Sequence, residues 1–200
     1  MTRPRLTLIL PLAFLVLATF YSVTNPPFES PDEVGHFAYV LHLLTDHALP
    51  RQRANDLGEA QQPPLYYVVA AVAALPSSFR DPTGSFDPNP AFIWGSSGGR
   101  EINAGHHGSV ETFPFAGQAL TLHLAREASV LMGAVTIWLI VLIGWEIFPE
   151  RPAVGILAGL IAAFDPQFLF ISASVNNDNL LAMTATGAIW QMVRMVGRPT

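Results

Sequence analysis

Residues 6–23, LTLILPLAFLVLATFYSV, form an unbroken apolar run behind Arg3 and Arg5. The run is close to the roughly 20 residues that a bilayer-crossing helix needs. A secretory signal peptide shares the basic start and the apolar body, but its apolar region covers about 7–15 residues and ends at a small-residue cleavage site. Here the run ends in YSVTNPPF, without an A-x-A pattern, so an uncleaved anchor is expected. Pro11 is tolerable inside such a span and would kink it.

Three more apolar runs follow in the second half: residues 128–147, 153–173 and 180–196. With half the residues hydrophobic and 12% charged, and a mean hydropathy of +0.37, the composition is that of a membrane protein. The expected fold class is an all-α polytopic membrane protein with about four transmembrane helices. The turn FPERP is too short for a domain, so the second and third spans should form a helical hairpin. Arg3 and Arg5, Arg151, and Arg194 with Arg198 then fall on one side, which the positive-inside rule makes cytoplasmic. This predicts a multi-pass protein of the cell (plasma) membrane with a cytoplasmic N-terminus. Arg51, Arg53, Arg80 and Arg100 lie in the long loop outside, where the rule counts weakly.

Residues 24–126 are left as one large extracytoplasmic loop. Within it, Val34, Phe37, Leu41 and Leu44 recur at helical spacing and predict a helix over about 31–47, lying along the membrane surface. Residues 63–75, PPLYYVVAAVAAL, predict a second interfacial or re-entrant helix, with Pro in the permitted first turn and a stop before Pro76. Residues 76–118, rich in Gly, Pro, Ser and Asn, have no sustained periodicity and read as loop. The net charge of −5 carries no block of like charge, so no nucleic-acid partner is expected. The absence of Cys excludes disulfides, thiolate catalysis and Cys-ligated zinc.

Candidate chemistry begins with FESPDEVGHFAYV, residues 28–40. Ser30, Pro31 and Glu33 spell a capping box, with Ser30 as cap, Pro31 in the first helical position and Glu33 reaching back to the Ser30 amide. Asp32 suits the positive end of the helix dipole, and His36, four residues on, could pair with it. The acidic pair also lies about ten residues beyond a span. Ionisable groups near a bilayer are functional candidates, and a partly desolvated Asp32 would suit general-base work. Asp178, in SASVNNDNLL between the third and fourth spans, either caps the fourth helix or converges with Asp32 and Glu33 on one face. Such carboxylates could hold a divalent cation, Mg²⁺ or Mn²⁺, through oxygen ligands. Asp165, before Pro166, either ends the third helix early or faces a polar cavity. His106 and His107 lack a third metal ligand at recognisable spacing. Tyr66 and Tyr67 suit an interfacial aromatic belt. Arg126 could snorkel or hold a lipid phosphate.

The order of an N-terminal span, PDEVGHFAY, QQPPLYYVV, REASVLMGAVTIWLIVLIGWEIF and PQFLFISASVNNDNLLAM resembles the start of a GT-C membrane glycosyltransferase. Protein mannosyltransferases, aminoarabinose transferases and related bacterial membrane proteins are the nearest kin. The resemblance covers residues 6 to about 196, apart from the 76–118 loop. It implies transfer of a hexosyl or pentosyl unit, with inversion, from a polyprenyl-phosphate-sugar donor lipid to an acceptor at the outer membrane face. By position, it makes Asp32 the general base and gives Glu33 an assisting or metal-binding role. Asp178 becomes a metal or substrate-orienting acid, Arg126 a carrier-phosphate contact, and His36 and Tyr66 substrate-binding residues beside the site. Gln61 and Gln62 depart from the acid or His that relatives often carry before the Pro of the second motif. Such enzymes generally have about twice as many spans or more, so a truncated chain is expected. Two other readings remain open: a transporter-like protein using the acids as a proton or cation relay, and a small non-catalytic membrane protein in which SPDE is only a helix cap.

Overall fold

A computed structural model describes residues 3–52, 58–92 and 103–197. The described residues form seven α-helices: α1 (Arg3–Thr24), α2 (Glu33–Asp46), α3 (Leu65–Ala74), α4 (Gly117–Ile147), α5 (Pro152–Ala163), α6 (Pro166–Ser172) and α7 (Asp178–Gly197). A single 3₁₀ turn covers Ser109–Glu111, and no strand longer than an isolated bridge between Pro88 and Gly105 is found among the described residues. The chain divides into two compact units, residues 1–22 with 129–200, and residues 23–128.

In the first unit α1 buries a stripe of Thr7, Pro11, Phe14, Ala18 and Ser22, while Leu8, Leu12, Val16 and Phe20 are exposed. Mostly small or polar residues around one buried ring, Phe14, with large apolar side chains outside, is the arrangement expected of helices surrounded by hydrocarbon, where close packing rather than water exclusion brings helices together. Phe14 and Ala18 join Val130, Ala134, Ile137, Ala163 and Leu169 in one core. The helices approach closely at glycines. A Cβ on Gly133 would meet the Phe14 ring and the Ser172 hydroxyl at 2.8 Å, and one on Gly144 would collide with Gly155.

Two helices, Thr7–Thr24 within α1 and Gly117–Ile147, are long and apolar enough to cross a membrane. The expected third span is broken: α5 and α6 meet at 66° and count together as one span at most. The break is built from sequence. Pro166 stands in the first turn of α6, and Asp165 caps it by accepting a 2.7 Å bond from the Phe168 amide, a capping geometry in which Asp is favoured. Of the two readings of Asp165, the early helix end is the one observed. The expected fourth span forms as α7, but it is not among the helices apolar enough to cross. Asp178 starts this helix and does not cap it by itself. The Asn176 side chain accepts from the Asp178 amide at 2.8 Å. Arg53, Arg100, Arg198 and the side chains of Arg3 and Arg5, all used for orientation, lie outside the described residues.

In the second unit α2 packs on α3. The buried face of α2 is Glu33, His36, Phe37, Val40 and Leu44, with Gly35 and Tyr39. This face is rotated from the expected Val34–Leu41 stripe because the polar Glu33 and His36 are drawn inward by partners described below. α4 begins at Gly117, eleven residues before the expected span, so the loop expected over 24–126 ends earlier. Its start is pinned: the Gln118 and Ala119 amides donate to the Asp81 and Thr83 carbonyls at 3.1 and 3.2 Å. Gly117 has φ +53, and a Cβ there would meet those same carbonyls at 2.8 Å.

Candidate active site

The helix that presents Asp32 does not start with the expected capping box. Asp32 itself is the N-cap, with φ +59, ψ 3 and no side-chain capping bond, and the Ser30 hydroxyl is buried without a hydrogen-bond partner. An N-cap residue usually has extended backbone, and a non-glycine residue at positive φ is uncommon, with Asp among the tolerated types. Backbone of this kind concentrates at functional sites. The turn leaves Asp32 exposed and Glu33 fully buried. Neighbouring carboxylates thus have opposite environments.

Glu33 reaches back, but to a different amide and a different partner than expected. Its Oε2 accepts from the Phe28 amide at 3.0 Å and from Arg126 Nη2 at 2.6 Å, and its Oε1 accepts from Arg126 Nε at 2.8 Å. Arg126 is also fully buried. It donates further to the Asn25 and Pro26 carbonyls at 2.9 and 3.1 Å. This fork-on-fork pairing satisfies both charges where a lone one would be prohibitive. Arg126 therefore lies inside α4, turned toward the α2 entry, rather than at a helix end where it could snorkel. A metal at Glu33 would compete with Arg126 for the same carboxylate. Among the described residues no three His, Cys, Asp or Glu side chains are grouped to hold a metal ion.

His36 and the tyrosines form a stacked buried group. His36 Nδ1 is 2.7 Å from the Tyr67 hydroxyl, and the Tyr39 and Tyr67 rings stack at 3.8 Å between centroids. Tyr66 lies edge-on to Tyr67 at 5.2 Å, and both Tyr66 and Tyr67 are buried. Instead of the interfacial belt expected of them, both rings pack into the protein interior. Burial also pushes the Tyr39 phenol upward in pKa. The outward face of α3 consists instead of Leu65, Val68, Val69, Val72 and Leu75, all exposed.

Asp32 opens on a cleft of about 440 Å³, with Val34, Gly35, Glu59, Phe86, Phe92 and Ala104 among its walls. Glu59, Phe86 and Phe92 carry no local motif that would announce them. Glu59 is steadied by Gln61 and Gln62, which donate to its Oε2 at 2.9 and 3.1 Å. The Ala104 wall is fastened to Glu29, whose carboxylate accepts from the Ala104 and Gly105 amides at 2.9 and 3.1 Å. His107 completes the clasp. Its two ring nitrogens each lie 2.8 Å from a carboxylate oxygen, of Glu29 and of Glu111. Partial burial lowers the His107 pKa, but hydrogen bonds and charge from Glu111 and Glu29 outweigh it and raise it overall. Two acceptor-only partners call for the doubly protonated ring. His106 contributes its backbone amide, bonded to the Asp87 carbonyl at 2.8 Å.

Asp32, Glu33, His36, Tyr66 and Arg126 thus belong to residues 23–128, and Asp178 is exposed at the head of α7 in the other unit. A family described as dolichyl-phosphate-mannose-protein mannosyltransferase matches residues 120–200. Over that stretch the chain is similar to this family of membrane glycosyltransferases. The matched stretch contains Arg126 and Asp178, while Asp32, Glu33 and the cleft lie before it. No curated protein and no solved structure matches the chain.

Proposed function

We propose that the protein is an inverting membrane glycosyltransferase that takes its sugar from a polyprenyl-phosphate carrier, with Asp32 as general base. The observation that carries this reading is the left-handed Asp32, its carboxylate exposed on a cleft beside a buried, fully paired Glu33. Asp32 takes the proton of an acceptor hydroxyl, the acceptor oxygen attacks the anomeric carbon, and the carbon–oxygen bond to the carrier phosphate breaks, releasing polyprenyl phosphate. A base positioned in this way contributes typically 10²–10⁴-fold.

In this reading Glu33 and Arg126 are positioning residues: they lock the first turn of α2 so that Asp32 is held out. His36 ties the same turn to Tyr67 of α3, against which Tyr66 packs edge-on. Any divalent cation needs ligands other than Glu33, and Asp178 is the acid that would contribute. The apolar face of α3 suits an interfacial position in the plasma membrane, with residues 23–128 outside and the N-terminus cytoplasmic.

The test is transfer from a panel of radiolabelled polyprenyl-phosphate hexoses and pentoses by the full-length gene product in liposomes. Asp32→Asn is expected to lower turnover at least 100-fold with insertion intact. Retained turnover would sink the assignment.

A further inference from the structure

The walls of the Asp32 cleft specify what can enter it. Its described charged lining is Asp32 and Glu59, both carboxylates. An ionised carboxylate only accepts hydrogen bonds, so the occupant has to bring donors. A phosphate or carboxylate group brings none at neutral pH and would meet like charge.

The remaining walls are mostly hydrocarbon; the polar exception, Asn89, commits its side-chain amide to the Asn103 carbonyl and its side-chain oxygen to the Ala91 amide. Phe86 and Phe92, both half-buried, border the cleft with Val34 and the bare Gly35 backbone. Phe86 is fixed by an edge contact to the buried Phe28 ring at 5.3 Å. The occupant therefore has an apolar face as well as donors at its edge. A serine or threonine side chain supplies one hydroxyl and no such face. A pyranose ring supplies several hydroxyls around a flat C–H surface. The cleft volume of about 440 Å³ falls in the roughly 300–1,000 Å³ range of small-molecule sites.

We infer that the cleft takes a neutral saccharide ring as the acceptor of the transfer, its hydroxyls on Asp32 and Glu59 and its C–H face on Phe86 and Phe92. This rests on the glycosyl-transfer reading of Asp32. The walls are steadied before binding: Glu59 by Gln61 and Gln62, and the Ala104 side by Glu29. Such preorganisation lowers the ordering cost of binding.

The test is saturation-transfer NMR on the chain in lipid nanodiscs, using methyl hexopyranosides, the matching hexose 6-phosphates and a blocked serine peptide. The methyl glycosides are expected to bind at least tenfold more tightly than the other two probes. Phe92→Ala and Glu59→Gln should each weaken them at least tenfold. Preferential binding of phosphates or peptide overturns the inference, as does indifference to both substitutions. Displacement of the glycoside by a polyprenyl-phosphate sugar also overturns it, because the cleft would then hold the donor. The two readings fail separately. Glycoside binding with Asp32→Asn still active removes the catalytic reading alone. Asp32-dependent transfer without glycoside binding removes the saccharide inference alone.

Discussion

The two units of this chain are held together by opposite means. In residues 1–22 with 129–200, helices meet through glycines, alanines and one phenylalanine-centred core, and large apolar side chains are turned outward. In residues 23–128 the decisive contacts are polar: a buried Glu33–Arg126 fork, a His36–Tyr67 bond and a Glu29–His107–Glu111 clasp. The first unit can be broken by adding a methyl group. The second is broken by removing a charge, and its charges also define the face on which Asp32 stands.

The largest expected effect follows from that contrast. Arg126→Ala leaves Glu33 buried and unpaired, which should cost about 3–5 kcal/mol. Hydrogen exchange should show the loss among amides of residues 23–128, with those around Phe14 and Ile137 protected as before. The double variant Glu33→Leu with Arg126→Met should recover much of it, since an ion pair replaced as a unit is often neutral.

The reverse experiment is Gly155→Val. Its added carbons would press on the Trp145 ring and the Val141 carbonyl, each already 2.7 Å from a first Cβ. Overpacking of this kind costs about 1–3 kcal/mol. Loosening should now appear among α4 and α5 amides, and Arg126 should stay protected. If both variants loosened the same amides, the distinction between the units would fail.

The smallest effect concerns pH. The His107 pKa is raised, by Glu111 and Glu29 against the lowering effect of partial burial. A raised histidine contributes its stability fully below its unfolded pKa of about 6.5 and loses it as pH rises through the folded value. The Ala104 and Gly105 amides, bonded to Glu29, should therefore exchange slowly near pH 6. They should exchange progressively faster above it, once the intrinsic pH dependence of exchange is divided out. His107→Gln should flatten the profile. The Asp81 turn offers a control: bonds from Thr83 hold its carboxyl low in pKa, so Thr83 should not change over that range.

Much of the first unit was legible because its signal is local. The run 6–23 lies within α1, Arg3–Thr24, and Asp165-Pro166 contained its own stop. What the sequence hid was the start of α4, since GQALTLHLAREA mixes polar and apolar residues and is anchored by the distant Asp81–Thr83 turn. The candidate site was legible in part for the same reason. PDEVGH marked the turn at which α2 starts, but the contacts within it depended on Arg126, 93 residues away. The S-x-x-E pattern predicted local capping. Glu33 was drawn to the arginine instead, and Asp32 took a left-handed backbone that no composition rule announces. Glu29 and His107, 78 residues apart, gave no sign of pairing either.

In the proposed reading the adjacent acids divide the labour, with chemistry at Asp32 and structure at Glu33. The direct test measures melting and sugar transfer together for Asp32→Asn and Glu33→Gln in the full-length gene product. The prediction is that Asp32→Asn melts like the parent and loses transfer, whereas Glu33→Gln melts early, about 3–5 kcal/mol less stable. An Asp32→Asn protein that transfers sugar, or a Glu33→Gln protein that melts normally and fails only in transfer, would contradict it.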